Sequence, residues 1–241
     1  MEKLKGSKKY LVTGGSGKLG RHIIVNIENI SPSRKKMDIM SITDLENYFK
    51  NFKFDAVLHL AAISDIKEAD RNRLSSYQTN VIGTRNVADF CKRYKKKCVY
   101  ISTDYVFRCD EGNYSEKAMP YPANWYGFTK YCGELEVQSC LTDYLIIRCS
   151  FRPIKWGFPA AFTNVYTTAD YVDIIAAEII LALKMDIKGI IHIGTPTKTF
   201  HELAIRRNKN VKPEECTDNL FPKKRNLNIE KWMTLKSRYN L

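Results

Sequence analysis

Tyr126 and Lys130 stand four residues apart in Asn124-Trp125-Tyr126-Gly127-Phe128-Thr129-Lys130. On a helix that spacing puts both side chains on one face. A phenol keeps its proton to about pH 10 unless something favours the phenolate, and a neighbouring ammonium does so. Such a pair can give or take a proton near neutral pH. Thr103 ends the apolar run Cys98-Val99-Tyr100-Ile101, which reads as a buried strand. Its hydroxyl is expected to meet the Tyr126 oxygen at that strand's carboxyl end. Tyr-x-x-x-Lys alone is common on helix surfaces, so its meaning depends on a second motif.

That motif lies near the start of the chain. The apolar run Tyr10-Leu11-Val12-Thr13 enters Gly14-Gly15-Ser16-Gly17-Lys18-Leu19-Gly20, and an apolar-periodic segment follows. This is the setting of a dinucleotide fingerprint. Gly14 permits the tight turn, Gly17 lets backbone approach a pyrophosphate, and Gly20 lets the helix pack on the sheet. Ser16, Lys18 and Leu19 complete the loop, and free N–H groups at the helix start face the diphosphate.

Elements that position these residues alternate along the chain. Strands are expected at about Lys9 to Thr13, Ile30 to Ser33, Ala56 to Leu60, Cys98 to Ser102, Tyr144 to Arg148 and Gly189 to Ile193. Helices are expected from Lys18, over Asp44 to Asn51, Leu74 to Arg93, Trp125 to Ser139 and Tyr171 to Lys184. Alternation of this kind gives an α/β fold with a doubly wound parallel sheet. Residues 1–241 read as one domain, with 151–170 and 194–241 forming a small C-terminal substrate-binding lobe. Arg152 to Pro159 reads as a connection rather than a domain linker.

Composition agrees: 44% hydrophobic and 12% aromatic residues fit a folded domain. No apolar stretch approaches the roughly 20 residues that span a bilayer, and the basic N-terminus has no following apolar region. The seven cysteines show no CxxC pair, so reduced thiols and a cytoplasmic setting are expected. His192 and His201 lack ligand-spaced partners, and no metal site is expected. The net charge of +13 reads mainly as a solvated lysine-rich surface that also attracts anionic ligands. Its clusters, Lys223-Lys224-Arg225 among them, lack the interleaved aromatics of a nucleic-acid platform. Neither nucleic acid nor membrane is an expected partner.

Together the glycine loop and the Thr/Tyr/Lys set resemble the extended short-chain dehydrogenase/reductase family, within the NAD-dependent epimerase/dehydratase superfamily. The segments are most similar to those of the dTDP-4-dehydrorhamnose reductases. The likeness runs through about residues 8–150 and thins beyond. Asp38 and Ile39 match a segment after the second strand, Ala61 and Ala62 the turn over the cofactor, and Asn80-Val81-x-Gly83-Thr84 the helix whose Asn supports the site. Ser102-Thr103-Asp104-Tyr105-Val106-Phe107 is nearly the reductase signature, and Arg148 matches the family's Arg.

The resemblance implies a Rossmann fold and a nucleotide-sugar substrate. It implies Thr103, Tyr126 and Lys130 as catalytic residues. Cofactor contacts would come from the glycine loop, Asp38, Ile39, Ala61, Ala62, Asn80, Ser102, Tyr126, Lys130 and Arg148. Asp104, Tyr105, Val106, Arg152 and Trp156 would face substrate. Ser33 and Arg34 stand where NAD enzymes carry an acidic ribose ligand, and a guanidinium there suits a 2′-phosphate. NADPH is therefore expected, with NADH as the alternative.

Related 4,6-dehydratases place an Asp-Glu pair after the catalytic Thr, whereas here Asp104 precedes Tyr105. Reduction of a nucleotide-linked 4-keto-6-deoxy sugar fits best, of the dTDP- or UDP-4-dehydrorhamnose type. The alternatives are another sugar-nucleotide epimerase or reductase, and a non-catalytic subunit like the β subunit of methionine adenosyltransferase. Family members often dimerise, so a homodimer is also an expectation.

Overall fold

A computed structural model describes residues 8–239. Strand β1 (Tyr10–Thr13) leads through the glycine loop to helix α1 (Gly20–Ile24) and strand β2 (Asn29–Ile30). Helix α2 (Ile42–Asn51), β3 (Ala56–His59), α3 (Ile66–Arg71) and α4 (Arg73–Tyr77) follow. A π-helical turn (Gln78–Ile82) joins α4 to α5 (Gly83–Arg93), and then come β4 (Lys97–Thr103), α6 (Trp125–Cys140) and β5 (Tyr144–Cys149). Four two- or three-residue strands come next: β6 (Phe151–Arg152), β7 (Ala160–Phe162), β8 (Tyr166–Thr167) and β9 (Asp170–Tyr171). The chain continues with α7 (Val172–Leu183), β10 (Gly189–His192), β11 (Lys198–Thr199), α8 (Phe200–Ile205), β12 (Lys212–Glu214) and α9 (Glu230–Arg238).

The central sheet runs β10-β5-β4-β3-β1-β2, and every pairing in it is parallel. β1 and β3 are buried along their whole length, which is why they read as unbroken apolar runs. Alternate side chains feed two cores. Val12, Leu58, Val99 and Ile147 face one side with α7 and Trp232, while Leu11, Val57, Tyr100 and Ile146 face the other with Phe49, Val87 and Val137. The chain reverses its progress across the sheet between β1 and β3, so the carboxyl ends of those strands border the crevice where such sheets take ligands.

Two expected elements come out differently. β2 covers only Asn29–Ile30, because Pro32 has no N–H to continue a ladder. The helix expected over Leu74 to Arg93 is interrupted by the π turn. There Thr84 Oγ1 donates to the Asn80 carbonyl at 2.7 Å, drawing it from the regular ladder.

Short strands of the C-terminal part pair far across the sequence: β6 with β9, β7 with β12, and β8 with β11. They enclose a small apolar cluster of Ala161, Val165, Phe200, Ala204, Val211 and Cys216. This lobe sits where the carboxyl end of β5 runs into β6. Among the described residues no helix is long and apolar enough to cross a membrane.

Behind the site, one buried ion pair links three elements. Glu134 on α6 accepts from Arg148 of β5 at 2.6 and 2.9 Å, and from the Ser102 hydroxyl of β4. Glu134 and Arg148 are almost wholly buried. Removing one partner of such a pair leaves an uncompensated charge, at about 3–5 kcal/mol. Glu134→Gln is therefore expected to lower the free energy of unfolding by about that much. Urea denaturation checks this, and a loss below about 1 kcal/mol would mean that the pair is replaceable.

Candidate active site

Gly14 adopts φ +72°, and a Cβ there would come within 2.6 Å of the Ala61 backbone nitrogen. The tight turn after β1 thus lies directly on the turn after β3. Gly20 is buried against Gly15. Ser16, Gly17 and Lys18 are exposed, whereas Leu19 packs into the core. A Cβ on Gly17 would meet only the Gly14 carbonyl, at 3.1 Å. The protein itself does not demand glycine at 17, so the space its missing side chain leaves open suits an approaching ligand. With only five residues in α1, the loop's own N–H groups outweigh any helix dipole in attracting an anion.

Thr13 joins this loop to the neighbouring strand. Its hydroxyl accepts from the Ala61 N–H at 3.2 Å and shares a 2.6 Å hydrogen bond with His59 Nδ1. His59 Nε2 pairs with Thr84 at 3.0 Å, and burial pushes the imidazole down to about 3, keeping it neutral. Asn80 is fully buried. Its side chain holds Ile63 through both backbone groups, at 2.8 and 3.0 Å, and donates to Thr129 of α6 at 2.9 Å.

At the expected adenosine end, Ser33 closes a turn by accepting from Lys36 and Met37. Arg34 is largely exposed and its Nε donates to Asp38 at 3.3 Å. Asp38 also accepts from the Met40 N–H at 3.0 Å. Ser31, Ser33, Lys36 and Tyr48 border a shallow hollow of about 530 Å³.

Catalytic geometry is set by the end of β4 and the start of α6. The Asn124 side chain caps α6 by accepting from the Gly127 N–H at 2.8 Å. A Cβ on Gly127 would overlap the Tyr105 carbonyl, at 2.1 Å. Glycine there lets the first turn of α6 press onto the turn after Thr103. Thr103 acts on Tyr126 from the end of β4, drawing its phenol down against burial, and the Tyr105 ring stands edge-on to Tyr126 at 6.4 Å. Lys130 is buried on the same helix face, its ammonium 3.9 Å from the centre of the Tyr100 ring.

Burial controls the protonation of this group. It lowers Lys130 to about 7, against the opposing pull of Glu134. It also pushes the Tyr126 phenol well above its usual range, aided by the Asp104 carboxylate and opposed by Thr103. The expected depression of Tyr126 by Lys130 does not govern the phenol: burial and the Asp104 carboxylate hold it up.

Several expected contacts turn elsewhere. Ser102 and Arg148 do not open to the cofactor side; both are engaged with Glu134. Ile39 packs inward against Gly83, and buried Asn80 fastens backbone and α6 instead of offering its amide. Val106 is fully buried and joins Phe107 and Leu227 in a core cluster. Asp104 is buried, with Oδ1 accepting from Thr103 at 3.0 Å and Oδ2 from Arg225 at 2.9 Å. Trp156 donates to the Ala160 carbonyl at 3.3 Å and packs against Phe200. The Arg152 guanidinium lies 4.4 Å from the Phe200 ring, lowered to about 10 by burial and by the nearby Arg225.

Arg225, Thr13, His59 and Thr84 were not legible as site residues. Arg225 stands 121 residues from Asp104 in a basic run, with no spacing to mark it. Among the described residues no group of three His, Cys, Asp or Glu could hold a metal ion.

A family model described as RmlD substrate binding domain matches residues 8–176. The dTDP-4-dehydrorhamnose reductase of Aggregatibacter actinomycetemcomitans is 27% identical over 78% of this chain and 63% of its own length. For the dTDP-D-glucose 4,6-dehydratase of Dictyostelium discoideum the values are 28%, 82% and 53%. The chain thus spans between half and two thirds of these curated relatives. The crystal structure of dTDP-4-dehydrorhamnose reductase from Bacillus anthracis, in complex with NADP, matches with a TM-score of 0.84 at 24% identity. It covers 97% of this chain and 93% of that one, a likeness of fold. Since the family match runs from before the glycine loop past both catalytic segments, this chain belongs to the RmlD substrate binding domain family.

Proposed function

We propose that this protein reduces the 4-keto group of a nucleotide-linked 6-deoxy sugar, of the dTDP- or UDP-4-dehydrorhamnose type, with NADPH. One observation carries the choice of reaction: both oxygens of Asp104 are engaged, by Thr103 and Arg225, and the next residue is Tyr105. A dehydration needs further groups to move protons on the hexose, whereas ketone reduction needs one donor, and Tyr126 supplies it. The intact Thr103, Tyr126 and Lys130 set, with Tyr126 and Lys130 on one face of α6, favours an enzyme over the non-catalytic subunit reading.

The open space over Gly17 and the exposed loop around it fit a dinucleotide diphosphate. Arg34 and Lys36, in a turn that carries no carboxylate before Asp38, fit a 2′-phosphate better than a bare ribose, with NADH the alternative. A bound NADPH supplies the hydride, from nicotinamide C4 to sugar C4. Tyr126 gives its proton to the sugar oxygen as charge builds there. Thr103 orients that oxygen, and the Lys130 ammonium offsets the charge left on the phenol. Tyr105 and Arg152 border the sugar nucleotide from the lobe side. A cytoplasmic biosynthetic role and a homodimer belong to the same reading.

The direct test follows NADPH absorbance with candidate 4-keto sugar nucleotides. Turnover is expected in the wild type, with Tyr126→Phe losing about 10²–10⁴-fold in kcat while binding NADPH normally. Full activity in the phenylalanine variant would remove Tyr126 from the chemistry.

Gly17→Val is expected to abolish NADPH binding in a calorimetric titration. Its thermal melt should stay near wild type, since the position is exposed and contributes little to the core. Normal binding by this variant would mean that the loop does not cradle the cofactor.

The reaction should also depend on pH through Lys130. Its ammonium is lost as pH rises through about 7, while Tyr126, pushed upward, keeps its proton. The kcat/KM for NADPH, which reports the free protein, is expected to fall above about pH 7, by up to about tenfold per pH unit. Lys130→Met should give a low, flat profile. A wild-type profile that stays flat to pH 9 would exclude a required Lys130 ammonium.

A further inference from the structure

Asp104 poses an electrostatic problem for a reductase. It is 1% exposed, follows the catalytic Thr103 directly, and accepts that residue's hydroxyl proton. Reduction places negative charge on the sugar oxygen between Thr103 and Tyr126. A bare buried carboxylate beside it would oppose that charge and keep the Thr103 proton for itself.

Arg225 answers both difficulties. Its Nη2 donates to Asp104 Oδ2 at 2.9 Å and to the Ser150 hydroxyl at 3.3 Å. Its guanidinium lies 4.3 Å from the centre of the Tyr105 ring and 5.5 Å from that of Phe200. The surrounding segment is stitched across the site by backbone bonds. Lys224 N donates to the Cys109 carbonyl, Arg225 N to Tyr166, and Asn228 N to Tyr114, at 2.7–2.9 Å. Lys223 and Lys224 of the same basic run stay outside the core while Arg225 is driven in.

Arg225 Nε, like Arg148 Nη1 behind the site, is buried without a hydrogen-bond partner. A buried ion pair repays its desolvation only when its remaining donors are satisfied. The arrangement accepts a cost in order to hold a positive charge against Asp104.

We propose that Arg225 is a positioning residue of the active site. The C-terminal lobe supplies it to neutralise Asp104, which frees the Thr103 hydroxyl to turn to the substrate carbonyl and lets negative charge build beside Tyr126. Arg225 touches neither reacting atom and acts through Asp104. The substrate lobe therefore sets the electrostatics of the reaction as well as holding the substrate, a role that rests on the reductase reading.

The test compares wild type, Arg225→Met, and Arg225→Met with Asp104→Asn, each checked by thermal melt and NADPH titration. Arg225→Met is expected to lose roughly a hundredfold in kcat, with the dissociation constant for NADPH within about twofold of wild type. Adding Asp104→Asn removes the charge that needed a partner, and should recover about tenfold or more of that loss. A fully structural Arg225 would not be rescued by losing a second partner. Arg225→Met with kcat within about threefold of wild type overturns the proposal, as does a folded double variant no faster than the single one. If Arg225→Met does not fold, the double variant decides alone: kcat within about tenfold of wild type supports the proposal, and a hundredfold loss overturns it. A wild type that turns over no 4-keto sugar nucleotide overturns the reductase reading itself, and Arg225's role with it.

Discussion

The rotation of α6 about its own axis is the setting on which the rest of the site depends. Tyr126, Lys130 and Glu134 follow one another at four-residue intervals, so they form a single stripe along the helix. Glu134, at the inner end, is a buried carboxylate that must be paired. Arg148 and Ser102 pair it, from two adjacent strands of the sheet. With Glu134 fixed, the stripe has one orientation, and it aims Lys130 and Tyr126 along β4 toward Thr103. Turning the stripe away from the sheet would leave a charge uncompensated in the core. Arg148 and Ser102, which resemblance places at the cofactor, instead fix Glu134 behind the helix.

The same burial that fixes the stripe decides its protonation. A dry pocket raises the phenol and lowers the ammonium, so the protein stores its proton on Tyr126 and holds Lys130 close to its switching point. Lys130 rests on the Tyr100 ring, and His59 lies tilted beside that ring, kept neutral by its own burial between Thr13 and Thr84. A charged imidazole there would compete with the ammonium. The Thr13–His59–Thr84 chain therefore ties the strand before the glycine loop to α5 without adding a second cation to the site.

What the sequence made legible follows from which signals are local. The central strands were readable as apolar runs because both faces are buried, and Gly14 to Gly20 because a close backbone approach admits few residues. Tyr126 and Lys130 lie on one face of α6, as their four-residue spacing required. The π turn was not readable: Leu74 to Arg93 has helical periodicity throughout, and the widening goes with a local bond from Thr84 and tertiary bonds to Ile63 and Thr129. α3, with the polar sequence Ile-Lys-Glu-Ala-Asp-Arg and only Ala69 buried, has no apolar stripe to announce it.

The lobe was illegible for a different reason. Strands of two or three residues have no periodicity, and each exists only because a partner tens of residues away fixes it, as Lys212–Glu214 is fixed by Ala160–Phe162. Such a structure cannot be stable apart from the sheet it covers. It is tied down through the turns that leave β4 and β5, at Cys109, Tyr114 and Ser150, and these bonds converge on the segment carrying Arg225. A small lobe therefore need not mean a detached one. Its short strands act as a frame that delivers the Arg225 guanidinium to the Asp104 carboxylate beside Thr103, and the electrostatics of β4's carboxyl end follow from the last quarter of the chain as much as from the sheet.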